Sequence, residues 1–152
     1  MSAEERLAEL GLVLPDAPKP IASYVTFSTA GDTAYTSGHG PMLPDGSWLA
    51  GKVGVDLDLE EACDAARATG LGLLATLRHH LGSLDRVSRV VKLFGMVNCT
   101  ADFTDHPAVI NGCSDLLAEV FADAGRHARS AVGVASLPMN IPVEIEAIVT
   151  FQ

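Results

Sequence analysis

Residues 126–151 read R-H-A-R-S-A-V-G-V-A-S-L-P-M-N-I-P-V-E-I-E-A-I-V-T-F. From Val143 to Phe151, apolar Val143, Ile145, Ala147, Val149 and Phe151 alternate with Glu144, Glu146, Ile148 and Thr150, the period-2 pattern of a strand with two different faces. Ala128 to Ala135 forms a shorter, less regular strand-like run. Pro138, Asn140 and Pro142 between the two cannot continue a ladder and mark a connection. The expected unit is a hairpin, with Arg129 near the start of one strand and Glu144 and Glu146 on the other. Charges within two otherwise apolar strands have two readings. They form a cross-strand ion pair on a solvated sheet face, where it contributes little, or they line a site on a face that something else covers.

The remaining 126 residues bear on that choice. The whole chain of 152 residues is long enough for one domain with a real core, here Met1 to Gln152 with residues 1–20 as an N-terminal extension. It is 48% hydrophobic but only 5% aromatic, so the core is aliphatic. A net charge of −9, with ten Lys and Arg scattered singly, leaves no basic stripe to neutralise phosphates and argues against a nucleic-acid partner. Cys63, Cys99 and Cys113 are widely spaced and suggest neither a disulfide framework nor a zinc site. They suit a reducing cytoplasm. The acidic start (Glu4, Glu5, Glu9) lacks the pattern of a signal peptide, and no apolar run approaches the roughly 18 residues of a membrane span.

Along the chain, Leu7 and Leu10 are spaced as on a short helix ended by Gly11, and Pro15, Pro18 and Pro20 make a stiff lead-in. Ser23–Thr29 and Thr33–Ser37 read as strands split by the turn Ala30-Gly31-Asp32. Thr36-Ser37-Gly38-His39-Gly40-Pro41 follows, where small residues let backbone approach a ligand or another chain closely. Leu43–Val55 is a loop containing Trp48. Asp58 with Glu61 forms a capping box for a long helix reaching Gly82, its stripe including Cys63, Leu73, Leu74, Leu77 and Leu81. Adjacent His79 and His80 suit that helix's C-terminal dipole better than a metal. Val87–Val97 is the longest strand and is expected to be central. Pro107 opens a second helix to about Asp123, closed by Gly125, with Asn111 off the centre of its apolar stripe.

The order is β-β-α-β-α-β-β. It predicts an α+β, two-layer domain in which one mixed sheet carries both long helices on a single face. The opposite face would expose an apolar patch of several hundred Å². The chain is therefore expected to self-associate through it, with the charges of the last two strands at or beside the interface.

The motifs A-R-S-A-V at 128–132, L-P at 137–138, V-E-I-E-A-I at 143–148 and T-S-G at 36–38 together resemble the Rid family of reactive-intermediate deaminases, the YjgF-type proteins also called L-PSP endoribonucleases. The resemblance spans about Ser23 to Thr150. It implies a chorismate-mutase-like fold and a homotrimer with sites in the clefts between subunits. It also implies cofactor-free and metal-free hydrolysis of enamines or imines, such as 2-aminoacrylate, to 2-oxo acids and ammonia. By resemblance, Arg129 grips the substrate carboxylate and Glu144 positions the water, while Tyr24, Ser37, Gly38, Asn111 and the residue at position 131 line the pocket. Ala131 stands where the family usually has cysteine, and His39 where glutamine often follows the glycine.

The residue types suit that chemistry. An imine needs orientation, a fixed anchor and one placed water, and arginine's planar fork binds a carboxylate bidentately. Spacing alone does not choose between Glu144 and Glu146 as the acid; the resemblance selects Glu144. Two other functions are compatible with the sequence. One is a non-catalytic, ligand-binding or regulatory trimer. The other is a ribonuclease, which the acidic balance and the lack of a suitably placed histidine pair disfavour.

Overall fold

The computed structural model describes all 152 residues, Met1–Gln152. Its helices begin and end where cap chemistry allows. The long helix α2 (Leu59–Leu81) starts at Asp58, whose carboxylate accepts from the Glu61 amide at 2.8 Å while the Glu61 carboxylate accepts from the Asp58 amide at 2.9 Å. It stops at Gly82, which adopts φ +84° and closes the last turn. Helix α3 (His106–Phe121) carries Pro107 in its first turn and runs into a short 3₁₀ turn, Ala122–Gly125. α2 and α3 lie almost backbone to backbone at Gly112, whose α-carbon faces the Cys63 carbonyl so closely that no side chain fits between them.

The N-terminal helix α1 (Ala3–Glu9) belongs to the same core. Ala3 and Leu7 are buried, and Glu4 pairs with Arg78 and accepts the Leu84 amide at 2.9 Å. The Arg78 hydrogen bond holds the Glu4 carboxyl below its ordinary pKa.

Five strands form one mixed sheet: β1 (Phe27–Ala30), β2 (Thr33–Thr36), β3 (Val87–Asn98), β4 (Ala128–Val134) and β5 (Val143–Phe151), in spatial order β1-β2-β5-β3-β4. The expected hairpin of the last two strands does not form. β4 pairs in parallel with β3, and β5 lies on the far side of β3, antiparallel to both β3 and β2. The reason is the helix between β3 and β4. A strand–helix–strand connection returns the chain parallel to its starting strand, so β4 takes the free edge of β3. The proline-containing segment 135–142 then spans the end of β3 instead of closing a tight turn. β3 is the longest strand, at 12 residues, and is interior, but β5 holds the middle of the sheet.

Register assigns the faces. Leu93, Gly95, Ala147, Ile145, Arg129 and Ala131 are opposite one another in neighbouring strands and face the helices. Val90, Leu93, Val97, Ile145 and Val149 are fully buried there with Leu73, Leu77, Ile110 and Leu116. The other face carries Tyr35, Phe94, Met96, Val132 and Ile148 together with Lys92, Ser130, Glu144 and Glu146. No element of the chain covers it, and Tyr35 is 45% and Val132 38% exposed. No helix is long and apolar enough to cross a membrane.

Candidate active site

The site is organised by an irregularity where the end of β2 runs beside β5. Tyr35 is opposite Ile148 and His39 opposite Ile145, so four steps along one strand match three along the other. The Thr36 hydroxyl fills the gap by accepting the Ala147 amide at 2.9 Å, and the His39 and Ile145 amides and carbonyls then exchange bonds of 2.8 and 2.9 Å. The extra residue pushes Ser37 and Gly38 over the side chain of Glu144. A β-carbon on Gly38 would stand 2.7 Å from Glu144 Cδ, so only glycine fits without displacing the carboxylate.

Ser37 ties the preceding segment to this bulge. Its amide donates to the Thr26 carbonyl at 3.0 Å and its hydroxyl to the Val25 carbonyl at 2.5 Å. That brings Tyr24 to the rim of a cavity of about 490 Å³ that Ser37, Gly38, His39 and Glu144 also line. Trp48, from the loop before α2, Met139 and Ile141 supply much of the rest of its wall.

Glu144 is half-buried here, and its carboxyl is raised above the ordinary glutamate pKa, first by burial and then by the neighbouring charge of Glu146. Glu146 is exposed on the same face. His39 is buried and has both ring nitrogens engaged. Nδ1 donates to the Ser37 carbonyl at 2.7 Å, since a carbonyl only accepts, and Nε2 accepts the Thr76 hydroxyl at 2.7 Å. Burial lowers its pKa, against the opposing pull of the Ser37 carbonyl, so the imidazole is a neutral strut from the bulge to α2.

Arg129 lies elsewhere. It faces the helix side of the sheet from edge strand β4, whereas Glu144 faces the uncovered side. One guanidinium NH2 group donates to Ser114 Oγ at 3.0 Å and the other to the Pro107 carbonyl at 3.1 Å. The Ser114 hydroxyl in turn donates to His127 Nε2 at 2.9 Å, and His127 Nδ1–H donates to the Gly125 carbonyl at 2.6 Å. Burial, with Arg129 adding to it, lowers the His127 pKa and keeps the ring neutral. Two of the five guanidinium N–H bonds hold the side chain in place, and the others remain for a ligand. Exposed Asn111 lines the same small polar recess, of about 250 Å³.

The residues selected from sequence therefore fall into two groups. Tyr24, Ser37, Gly38 and Glu144 share one cavity, and Arg129 and Asn111 share another; the two have no lining residue in common. Ala131 packs against the hydrophobic core and lines neither. Ser114, His127, Met139 and Ile141 went unnoticed in the sequence. The position of His39 stands out in the sequence but its role does not, although a histidine between two glycines is a usable signal. The cysteines stay protonated: burial pushes the Cys113 thiol up to about 12 and raises Cys63 and Cys99 as well. No three His, Cys, Asp or Glu side chains are grouped to hold a metal ion.

Residues 4–147 match the family described as "YjgF/chorismate_mutase-like, putative endoribonuclease". The chain belongs to the YjgF family. Protein TCP17 of Trypanosoma cruzi is 43% identical to it over 144 residues, covering 94% of this chain and 90% of that one. A 2-iminobutanoate/2-iminopropanoate deaminase of Dermatophagoides farinae is 31% identical over 91% of this chain and 93% of its own. The crystal structure of a "putative endoribonuclease" from Shewanella oneidensis superposes with a TM-score of 0.95 at 32% identity, covering 99% of this chain and 100% of that one. The sheet with its helices on one face is thus the YjgF architecture, and one of the chain's relatives is named as an imine deaminase.

Proposed function

We propose that this YjgF-family chain hydrolyses reactive 2-imino acids, and the enamines that tautomerise to them, to 2-oxo acids and ammonia. We further propose that two copies complete each site within a homotrimer. The observation that carries this reading is Glu144, a half-buried carboxylate raised above its ordinary pKa and held over a glycine in a largely apolar cavity. A carboxylate raised in that way holds a proton more readily than an ordinary glutamate and is suited to take and return one.

Each residue then has a defined task. Arg129 binds the substrate carboxylate through its free N–H bonds. Glu144 removes a proton from water as the oxygen bonds to the imine carbon and the C=N electron pair moves onto nitrogen. With the imine protonated at the start, the protonated Glu144 then gives its proton to the amine, and the C–N bond breaks as the oxygen lone pair forms C=O. Glu144 takes up the hydroxyl proton and passes it to the departing ammonia, leaving the 2-oxo acid and ammonium. One water is consumed for each ammonia released.

The shared site is supported by the opposite orientations of Arg129 and Glu144 within one chain. A head-to-tail ring that covers the exposed sheet face would bring the Arg129–Asn111 recess of one copy to the Glu144 cavity of the next. A ribonuclease reading is disfavoured by the −9 charge and by His39, whose two nitrogens are both occupied.

The test is ammonia release from imines generated in situ, with wild type compared to Arg129→Ala and Glu144→Gln. Wild-type turnover that both substitutions abolish supports the reading. Absence of turnover with every imine, at an intact trimer, contradicts it.

A further inference from the structure

The Arg129 guanidinium is held along one face of α3. It donates to the Pro107 carbonyl at 3.1 Å and to Ser114 Oγ at 3.0 Å, and Pro107, Asn111 and Ser114 are spaced i, i+4, i+7 on that helix. Helical carbonyls point toward the C-terminus and side chains tilt toward the N-terminus, so the two acceptors converge at the level of Asn111. One rigid helix therefore sets the guanidinium beside the Asn111 amide in their shared recess.

The Ser114 acceptor is in turn set by His127, which lies just before β4 and reaches the same hydroxyl from the other side. The Gly125 carbonyl can only accept, so its 2.6 Å contact places the ring proton on Nδ1 and leaves Nε2 bare. The Ser114 hydroxyl then turns its proton to Nε2, 2.9 Å away, and presents only lone pairs to Arg129. A charged ring would instead press a second N–H onto Ser114 next to the guanidinium; burial keeps the ring neutral. Both ring nitrogens and the hydroxyl proton are thus used within the chain of bonds from Gly125 to Arg129, and whatever these two residues do for a ligand passes through the arginine. A long side chain on an edge strand without such holders keeps its rotamer freedom and loses it only on binding.

We propose that Ser114 and His127 are positioning residues, which aim the Arg129 guanidinium at a substrate carboxylate before the substrate arrives. This rests on Arg129 as the carboxylate anchor and adds the two residues that orient it.

The experiment pairs steady-state ammonia release from the alanine-derived imine with calorimetry of pyruvate and of its uncharged amide. An unaimed anchor weakens ground state and transition state alike, so Ser114→Ala and His127→Phe should each raise KM roughly 3- to 10-fold and leave kcat within about 2-fold. Pyruvate should bind more weakly by a similar factor, and pyruvamide as tightly as before. Ser114→Thr keeps a hydroxyl and His127→Gln keeps an acceptor, so each should recover most of the loss. In an Arg129→Ala background Ser114→Ala should add nothing, because its route to the ligand is gone. Both positions are only half-buried, and Ser114→Ala, which removes a single oxygen, decides the matter should His127→Phe not fold. Wild-type KM and pyruvate affinity in Ser114→Ala, or an equal loss with Arg129 absent, overturns the proposal while leaving the anchor standing. If no imine is hydrolysed, the reaction assignment fails and the binding measurements decide. Wild type that binds pyruvate no better than pyruvamide overturns anchor and positioning together.

Discussion

The Glu144 carboxylate rests against the α-carbon of Gly38, so that a methyl group added to Gly38 would stand 2.7 Å from Glu144 Cδ and 2.9 Å from Oε2. The bulge at Ser37–Gly38 therefore fixes where the proposed base points. Gly38→Ala should displace the carboxylate by the order of an ångström and lower kcat/KM roughly 10- to 100-fold. The substitution lies at the cavity, outside the helix–sheet core, so circular dichroism and sedimentation should be unchanged. Full activity in Gly38→Ala would mean that the orientation of Glu144 is immaterial.

Glu144 and Glu146 share a sheet face but differ in surroundings, and this makes their roles separable. Glu144→Gln should lose at least about 100-fold in turnover, whereas Glu146→Gln should remain active. A base works only when ionised, so kcat/KM should fall as pH drops through the raised pKa of Glu144. Removing the Glu146 charge, the second cause of that elevation, should move this acid limb to lower pH. A pH–rate profile checks both the order of activities and the direction of the shift. Loss of turnover in Glu146→Gln alone would reverse the assignment.

His39 makes a separate statement about stability. Its folded pKa lies below the ordinary value of 6.5, so below pH ~6.5 the unfolded chain binds a proton that the folded chain refuses. That stabilisation is present above pH ~6.5 and is lost as pH falls toward the depressed folded pKa. His80 and His127, lowered chiefly by burial, act with the same sign. The melting temperature should drop between pH 7 and pH 5, and His39→Gln should flatten this dependence in part. An identical pH dependence in the variant would show that His39 protonates freely in the folded protein.

Arg129 is expected to act on substrate and not on folding. Loss of a charge-assisted, bidentate carboxylate contact should cost about 2–4 kcal/mol, or roughly 30- to 1000-fold in kcat/KM. Arg129→Lys should recover only part of this, since an ammonium lacks the planar fork. Ser114 and His127 still bond one another without Arg129, so the melting temperature of Arg129→Ala should move by no more than a few degrees. Dissociation or unfolding of the variant would make Arg129 an interface strut.

How much of this could be read from sequence depended on whether the signal was local. Asp58, Glu61 and Gly82 state the limits of α2 outright, and the alternation from Val143 to Phe151 gives both the strand and its buried face. Partner choice is not local. Nothing in residues 128–134 says that they pair with β3 and not with β5, because pairing is set by the helix packed between β3 and β4. The expected closeness of Arg129 and Glu144 failed for that reason. The hydrogen bond from buried Asn98 Nδ2 to Asn140 Oδ1 joins positions 42 apart, and the role of His39 depends on Thr76, 37 residues away. Such contacts leave no periodic trace. The long C-terminal motif carried the family assignment, while the division of its residues into two clusters became visible only in three dimensions.

The central claim, one site built from two copies, is tested most directly by mixing two inactive variants. Arg129→Ala keeps an intact Glu144 cavity, and Glu144→Gln keeps an intact Arg129 recess. Each should be nearly inactive alone. After an equal mixture is dissociated and reassembled, random heterologous trimers should place wild-type Arg129 against wild-type Glu144 in about a quarter of the clefts. The expected result is recovery of about a quarter of wild-type ammonia release. A mixture no more active than either variant alone would contradict the shared site and put Arg129 and Glu144 in separate functions.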